Sequence, residues 1–460
     1  MQRQIEKGNK ITSLIIVAVT GAMVAAVMNC FSIFIFSVLS WVILLAVDEA
    51  VFKNDKKNTT MLLIIWIIYM ASIVWIYYAQ IEVYGVPYIL SDDYYMETEW
   101  VKECLDKNFF TISQMVRGSS FFQLANCNAF ILFFAYINRF ADLFGGYHTI
   151  DGRIVNATAA IISGILVAKI CKKNIGKDGG NRTGKILLLA AVFPNIVYIS
   201  AHIYRDCYLM LLLTFLFYIW NEEQMRKKPL CLILLSLLDF YLLYWNRAFS
   251  VVYGLAIVYL ELFFNRFDKR IIDRKYSKLQ LLGVAIAGFA IILFAVWILR
   301  LERFWRYMNG YSVINTEHGG LKGFVYGISL LPIGWLLRII FYLCAPFYPQ
   351  ILGDFQFGSS LDIIYIILTV GTIFLFFIYP YLLKGIFRFN SVSAIFLVIF
   401  CSSAVVTSGF RHIMMSYPFM FILSAYGYSN TDYEERRKYM GYSFAVLLAY
   451  ILLYIFSRII

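Results

Sequence analysis

Apolar residues run along this chain in long blocks, and the polar positions fall between them in short clusters. A helix needs about 20 apolar residues to cross ~30 Å of hydrocarbon. Blocks of that length recur along nearly the whole chain and predict an all-α, polytopic membrane protein. The short alternating strands of a membrane β-barrel do not appear. Basic clusters separate the blocks: Arg3/Lys7/Lys10, Lys53/Lys56/Lys57, Lys172 to Lys185, Arg226 to Lys228, Arg266 to Lys278, Lys384/Arg388 and Arg436 to Lys438. Cytoplasmic loops carry the excess of Lys and Arg, so every cluster is placed inside.

Counting between clusters gives about thirteen spans, with the N-terminus cytoplasmic and the C-terminus outside. The expected spans are 11–28, 30–52, 60–80, 150–171, 186–203, 204–220, 229–246, 248–265, 279–299, 361–384, 391–409, 412–429 and 440–458. The first two form a hairpin turning near Asn29. Residues 1–29 have the basic start and apolar run of a signal peptide, but a second apolar run follows at once, so they read as an uncleaved first span. Two long outer segments are expected, 81–149 and 300–360, within a single integral domain covering 1–460. Each holds an apolar stretch, 121–144 and 324–350. Charge parity keeps both on the outer side, as juxtamembrane or re-entrant pieces. Asn126, Asn128, Asn138, Arg139 and Asp142 break the first of them.

Composition agrees. The chain of 460 residues is 61% hydrophobic and 15% charged, against about 25% charged in soluble domains. The net charge of +12 comes mostly from the cytoplasmic clusters, so it does not imply nucleic acid. The eight cysteines include no CxxC pair, which removes a zinc or redox motif. Cys104 and Cys127 both fall in the outer segment 81–149, where a bridge between them is allowed.

The same topology gathers the polar groups on one side. All four histidines, His148, His202, His318 and His412, fall at the outer face. So do Arg205/Asp206, Asn246/Arg247, Arg303/Arg306, Arg338, Asp354 and Arg411. Polar groups near membrane depth are costly and mark pathways or sites; the bland alternative is ordinary interfacial loop ends. The densest acidic stretch, SDDYYMETEW at 91–100, is also outside. Asp92 and Asp93 are adjacent, with Glu97, Glu99, Tyr94, Tyr95 and Trp100 around them. A carboxylate in a water-excluded cavity serves as general base on a hydroxyl, and two together hold a divalent cation such as Mg²⁺ or Mn²⁺. The alternative is a solvated acidic loop. The aromatic rings suit an interface and sugar stacking.

In PNIVYISAHIYRD, residues 194–206, His202 and Arg205 are placed to contact phosphate, and Asp206 to orient one of them. Asp206 is equally explained as the acid favoured at a helix N-terminus. Arg247, and Arg411 with His412 in SGFRH, put cations at outer span ends, where they bind phosphate or snorkel to headgroups. No Walker loop, GxSxG, HExxH or dinucleotide fingerprint has a supporting context.

The order of these features resembles the GT-C superfamily of membrane glycosyltransferases over roughly residues 60–220. The family's acidic outer-loop motif is matched by SDDYY at 91–95. Its aromatic-Gly turn is matched by Phe144 and Gly145, and the Arg opening the next span by Arg153. Pro194, Ser200 and Asp206 match the following helix. The family places this loop after the first span, whereas two extra spans precede it here, and the family's His-x-Pro-Pro element is absent. The resemblance implies a polyprenyl-linked sugar donor, a lipid-linked or glycan acceptor, Asp92 or Asp93 as base and Asp206 as a second acid of the site. The later half, with Arg300 to Arg306 and the stretch from Arg411 and His412 to Pro418, is similar to O-antigen and capsule repeat-unit polymerases. Either reading implies a bacterial inner-membrane enzyme of polysaccharide assembly. A lipid-linked sugar transporter is the third reading. It expects ionisable groups in mid-span, of which Asp239 is the one found.

Overall fold

The computed structural model describes residues 2–52, 58–88, 92–120, 127–175, 177–271, 320–328, 333–344, 359–387, 391–406 and 410–459. Among them the regular structure is entirely helical. Six helices are long and apolar enough to cross a membrane: Asn9–Met28, Ser32–Phe52, Asn58–Tyr84, Thr149–Lys173, Pro229–Asn246 and Ser360–Ile386. The pair Thr183–Val192 and Pro194–Ser200, bent by 53°, makes a seventh if taken as one broken span. The protein is therefore a helical membrane protein, and six expected spans appear at nearly the expected bounds.

The other expected spans differ. The span expected at 186–203 breaks at Phe193–Pro194, because proline cannot donate to the helix it interrupts. Asp206–Asn221, Ser250–Phe264 and Ser391–Val405 are apolar helices of 10–17 residues, below the length that crosses unaided. The expected span 412–429 begins as a 3-10 turn, Phe410–Ser416, and Pro418 opens a helix of 13 residues. Residues 440–458 lie inside the helix Tyr433–Ile459. The span 279–299, and most of the outer segment 300–360, lie outside the described residues.

Contacts divide the chain into two compact units, residues 1–211 with 348–368, and residues 212–347 with 369–460. In the first unit the helices are α1 (Gln2–Met28), α2 (Ser32–Phe52), α3 (Asn58–Tyr84), α4 (Asp92–Tyr95) leading into a π-helical turn (Met96–Trp100), α5 (Val101–Asp106), α6 (Ile112–Gly118), α7 (Asn128–Asp142), α8 (Thr149–Asn174), α9 (Lys177–Val192) and α10 (Pro194–Ser200). The helix α11 (Asp206–Asn221) begins there.

The expected hairpin turn is made at Asn29, whose φ of 52° is left-handed. Asn tolerates that conformation and closes helix ends with it. Cys30 N–H then bonds the Ala25 carbonyl at 3.0 Å. α2 runs parallel to α8. Ser32 Oγ donates to Asp151 at 2.6 Å, Ser40 and Thr158 share a bond at 2.5 Å, and Lys169 sits 5.7 Å over the Phe52 ring. α3 runs parallel to α9 and α10: Tyr69 O–H donates to the Ala191 carbonyl at 2.7 Å. α8 and α9 pack antiparallel, and a methyl group at Gly164 would lie 2.9 Å from the Ala191 Cβ. Small residues let helices approach in this way.

These registers give the unit two chemically different ends. One gathers Lys10, Lys169, Asp48 and Asn58, where Lys10 pairs with Glu49 at 2.9 Å and Asn58 donates to Asp48 at 3.0 Å. The other gathers Gln80, the α4 segment, the start of α8 and the turn after α10. α7, inside the apolar stretch 121–144, is 15 residues long and packs Phe140 on Phe36 and Phe130 on Tyr208.

In the second unit α12 (Glu223–Arg226), α13 (Pro229–Asn246) and α14 (Ser250–Ile271) are followed by α15 (Gly320–Gly327), α16 (Ile333–Leu343), α17 (Ser360–Ile386, entering from the first unit), α18 (Ser391–Val406), α19 (Tyr417–Ser429) and α20 (Tyr433–Ile459). α15 and α16 lie within the apolar stretch 324–350 or beside it, and both are short. Arg338 of α16 donates to the carbonyls of Val405 and Tyr326 at 3.1 and 2.9 Å, satisfying the exposed end of α18. All eight cysteines are free thiols, with Cys104 and Cys127 both buried, so the bridge between them does not form.

Gly164→Val should lower the unfolding temperature in detergent, at an overpacking cost of about 1–3 kcal/mol. Gly441, whose added Cβ would meet nothing within 4 Å, is the control. Gly441→Val should leave the transition in place. Equal shifts for the two would contradict the packing described.

Candidate functional site

α8 is where the apolar pattern is most often broken. Thr149, Asp151, Arg153, Asn156, Thr158 and Ser163 all lie on it, and all are buried. Buried polar groups must be paired, and the pairing here builds a network. At its start, His148 and Asp151 form a capping box. His148 Nδ1 accepts from Ile150 N–H at 3.2 Å, and Asp151 Oδ2 accepts from His148 N–H at 2.9 Å. Burial, then the Arg153 charge, holds the His148 imidazole below the usual histidine range.

One turn on, Arg153 has no exposed surface. Its Nη2 donates to Gln80 Oε1 at 2.6 Å and to the Pro87 carbonyl. Gln80 then turns its amide nitrogen to His202 Nε2 at 2.9 Å, and His202 Nδ1 lies 2.7 Å from the Tyr198 carbonyl. The carbonyl fixes the proton on Nδ1, so Nε2 accepts from Gln80. The imidazole is neutral in this arrangement; burial pushes its pKa down to about 4. Tyr204 stacks on it at 5.3 Å. Asn156 Nδ2 donates to the carbonyls of His202 and Tyr204 at 2.6 and 3.1 Å, which holds the turn.

The acidic stretch docks on this turn. Asp93 has no exposed surface, and its Oδ1 accepts from Ile203 N–H at 2.8 Å. Asp93 Oδ2 is buried without a hydrogen-bond partner, as are Arg153 Nε and Nη1. Asp93 and Glu97 both act on Arg153 electrostatically. Glu97 stands one turn after Asp93, in a π-helical turn, a rare geometry found mostly at functional sites. Its Oε1 accepts from Tyr147 O–H at 2.9 Å. Burial and then the Asp93 charge raise its pKa to about 7, against the Tyr147 and Thr149 hydrogen bonds and the Arg153 charge. At the rim, Tyr95 and Trp100 stack at 5.2 Å and 15°.

An apolar groove of about 380 Å³ lies along the same helix. Val155, Thr158, Ala159 and Ile162 of α8 line it, with Phe36 and Leu39 of α2, Phe133 and Phe140 of α7, and Tyr208 of α11. Its α8 lining runs from Val155 to Ile162, about 10 Å along the helix.

The expected site residues thus divide. Asp93 and His202 meet through the Ile203 amide and Gln80. Arg205 is buried in the same turn, and Asp206 is buried at the start of α11, where its charge suits the helix end. In the second unit, Arg247 Nη1 lies 3.1 Å from His412 Nδ1, and Arg411 is half-buried in the adjoining 3-10 turn. Asp92 belongs to α4, but its side chain, like Arg303 and Arg306, lies outside the described residues. Among the described residues no three His, Cys, Asp or Glu side chains converge as a metal site. Gln80, Tyr147 and Asn156 are members that the sequence reading does not single out. Their signal is polarity at the end, or in the first turns, of an apolar block. Arg153 enters the sequence reading through resemblance alone.

Comparison with known proteins finds no matching family model, no matching curated protein and no matching solved structure.

Glu97 gives the site a pH signature. Its pKa rises on folding from 4.5 to about 7. The folded state therefore holds the extra proton between those values. This contribution to stability is fully present below pH 4.5 and is lost as pH rises through about 7. Unfolding temperatures of wild type should fall across that window relative to Glu97→Gln. Parallel profiles for the two would contradict the burial of this carboxyl.

Proposed function

We propose that this protein is a bacterial inner-membrane glycosyltransferase of the GT-C kind, working in surface-polysaccharide assembly. It takes a sugar from a polyprenyl-phosphate-linked donor and joins it to an acceptor hydroxyl at the outer face, with its own N-terminus in the cytoplasm and about thirteen spans. The observation that carries this reading is the set of unfilled bonds at one end of the first unit. Asp93 Oδ2 lacks a donor, and Arg153 Nε and Nη1 lack acceptors, although all three are buried. A hydroxyl and a phosphate oxygen together are what such a set accepts.

In this mechanism Asp93 Oδ2 accepts the proton of the acceptor hydroxyl. The hydroxyl oxygen attacks the anomeric carbon as the bond from that carbon to the phosphate oxygen breaks. The phosphate leaves with the electron pair, and Arg153 stabilises its growing charge. Asp93 is oriented by the Ile203 amide, and Arg153 by Gln80 and Pro87. The stacked Tyr95 and Trp100 offer a sugar-binding face at the rim. The apolar groove suits an isoprenoid chain, since its lining is apolar and runs along the membrane part of α8. The orientation is supported by Lys10 and Lys169 lying at the opposite end of the unit from Asp93. A divalent cation held through Asp92 and Asp93 is a separate expectation, read by activity after chelation.

A second reading, the repeat-unit polymerase, is favoured by the contact of Arg247 with His412 in the second unit. It shares compartment, substrate class and bond formed. Gene deletion followed by sizing of the surface glycan separates the two. Loss of long chains with single repeats retained favours polymerisation, whereas loss of one decorating sugar favours transfer.

In membranes supplied with lipid-linked sugar, Asp93→Asn should lower product formation by about 10²–10⁴-fold, the usual worth of a general base. Asp92→Asn should lower it far less. Full activity in Asp93→Asn, and in the double variant, would overturn the proposed base.

A further inference from the structure

The second unit contains a buried carboxyl that glycosyl transfer at Asp93 does not use. α13 presents Leu230, Ile233, Leu234, Leu237, Leu238, Tyr241 and Tyr244 outward. Its buried stripe is Leu232, Ser236, Asp239, Leu243 and Asn246. Asp239 is 2% exposed, and both its carboxyl oxygens are buried without a hydrogen-bond partner. It stands seven residues from the end of an 18-residue span, about 10 Å along the axis from Asn246.

The neighbouring helix carries a second acid. α14 packs antiparallel on α13, with Gly254 facing Phe240 and Leu243. Glu261, seven residues further along α14, is 1% exposed. By helix rise it lies within about 7 Å of the level of Asp239. The other titratable groups on the described elements packed against α13 include Tyr253 and Tyr259 on α14, Tyr218 on α11, and Glu223 and Arg226 on α12. Ser236, on the same stripe, accepts from Trp220 Nε1 at 3.0 Å. At the far end of the stripe, Asn246 adjoins the Arg247–His412 contact.

A carboxyl within a span, with no hydrogen-bond partner among the described residues, is a poor choice for structure alone, and such residues mark ion or proton sites. Among the described residues no three His, Cys, Asp or Glu side chains converge here as the oxygen cage of a metal cation would need. We propose that Asp239, with Glu261, is an intramembrane proton-binding site, which takes up and releases a proton through the Asn246 end of the α13 stripe. This is a function of the second unit in its own right, separate from transfer at Asp93.

Dicyclohexylcarbodiimide, an apolar reagent for protonated carboxyls, tests it directly. The full-length protein in lipid bilayers is treated between pH 5 and pH 9, and the modified peptides are mapped by mass spectrometry. The label should appear on Asp239 and fall at least tenfold over that range. It should vanish in Asp239→Asn, and in Glu261→Gln its midpoint should move. A wild-type Asp239 unlabelled at every pH, or labelled equally from pH 5 to pH 9, would overturn the site. An unmoved midpoint in Glu261→Gln would overturn the two-carboxyl arrangement. The label is read without a glycosyl assay, so failure here is distinct from failure of the transferase reading.

Discussion

Burying the guanidinium of Arg153 is the constraint on which the first unit depends. An arginine with no exposed surface needs its charge opposed and its donors engaged, or the cost of leaving water is not recovered. Here the opposing charges come from Asp93 and Glu97, and two of the donors' bonds go to Gln80 and Pro87. Each partner imposes a further demand. Gln80, fixed by Arg153, presents its amide nitrogen to His202. His202, fixed by Tyr198, fits only with its Nε2 unprotonated. Asp93 reaches the cluster only because the chain after α10 turns Ile203 N–H toward it. One charge thereby specifies the ends of four segments that are distant in sequence.

The helical frame makes this possible through register. The parallel pairing of α2 with α8 and of α3 with α9 and α10 brings helix ends of like chemistry to the same level. Close approach at Gly164 keeps α8 and α9 tight enough for Asn156 to reach the turn after α10. The frame leaves some bonds at Asp93 and Arg153 unmade, and a half-satisfied buried network is costly. A substrate that completes those bonds turns that cost into binding energy, which is the physical core of the transferase reading. A buried carboxyl on α13 presents a similar unmet demand in the second unit, with a proton as the smallest group that meets it.

Much of the frame was legible in the chain. The turn at Asn29 follows from a residue that tolerates left-handed backbone between two apolar blocks. Six spans follow from block length. Within 412–429 the α-helix begins only at Tyr417, because Pro418 suits a helix start, a local rule that hydropathy ignores. The 53° break before Pro194 is likewise invisible to hydropathy and follows from the proline itself. Within the site, Asp93 and His202 were recognisable by placing charges on one side of the membrane. Gln80 was not, since a lone amide at the end of an apolar block looks like an ordinary span end. Pairings such as Arg247 with His412, separated by 165 residues, depend on helix packing that no local pattern encodes.

The central claim is that Asp93 and Arg153 form the substrate site. Electron cryomicroscopy of the full-length protein with a polyprenyl-phosphate-linked sugar tests it most directly. The account predicts phosphate density within hydrogen-bond reach of Arg153, a sugar beside Asp93, and the isoprenoid chain in the groove along α8. Density for the bound lipid elsewhere, with the Asp93–Arg153 cluster unchanged and empty, would contradict it.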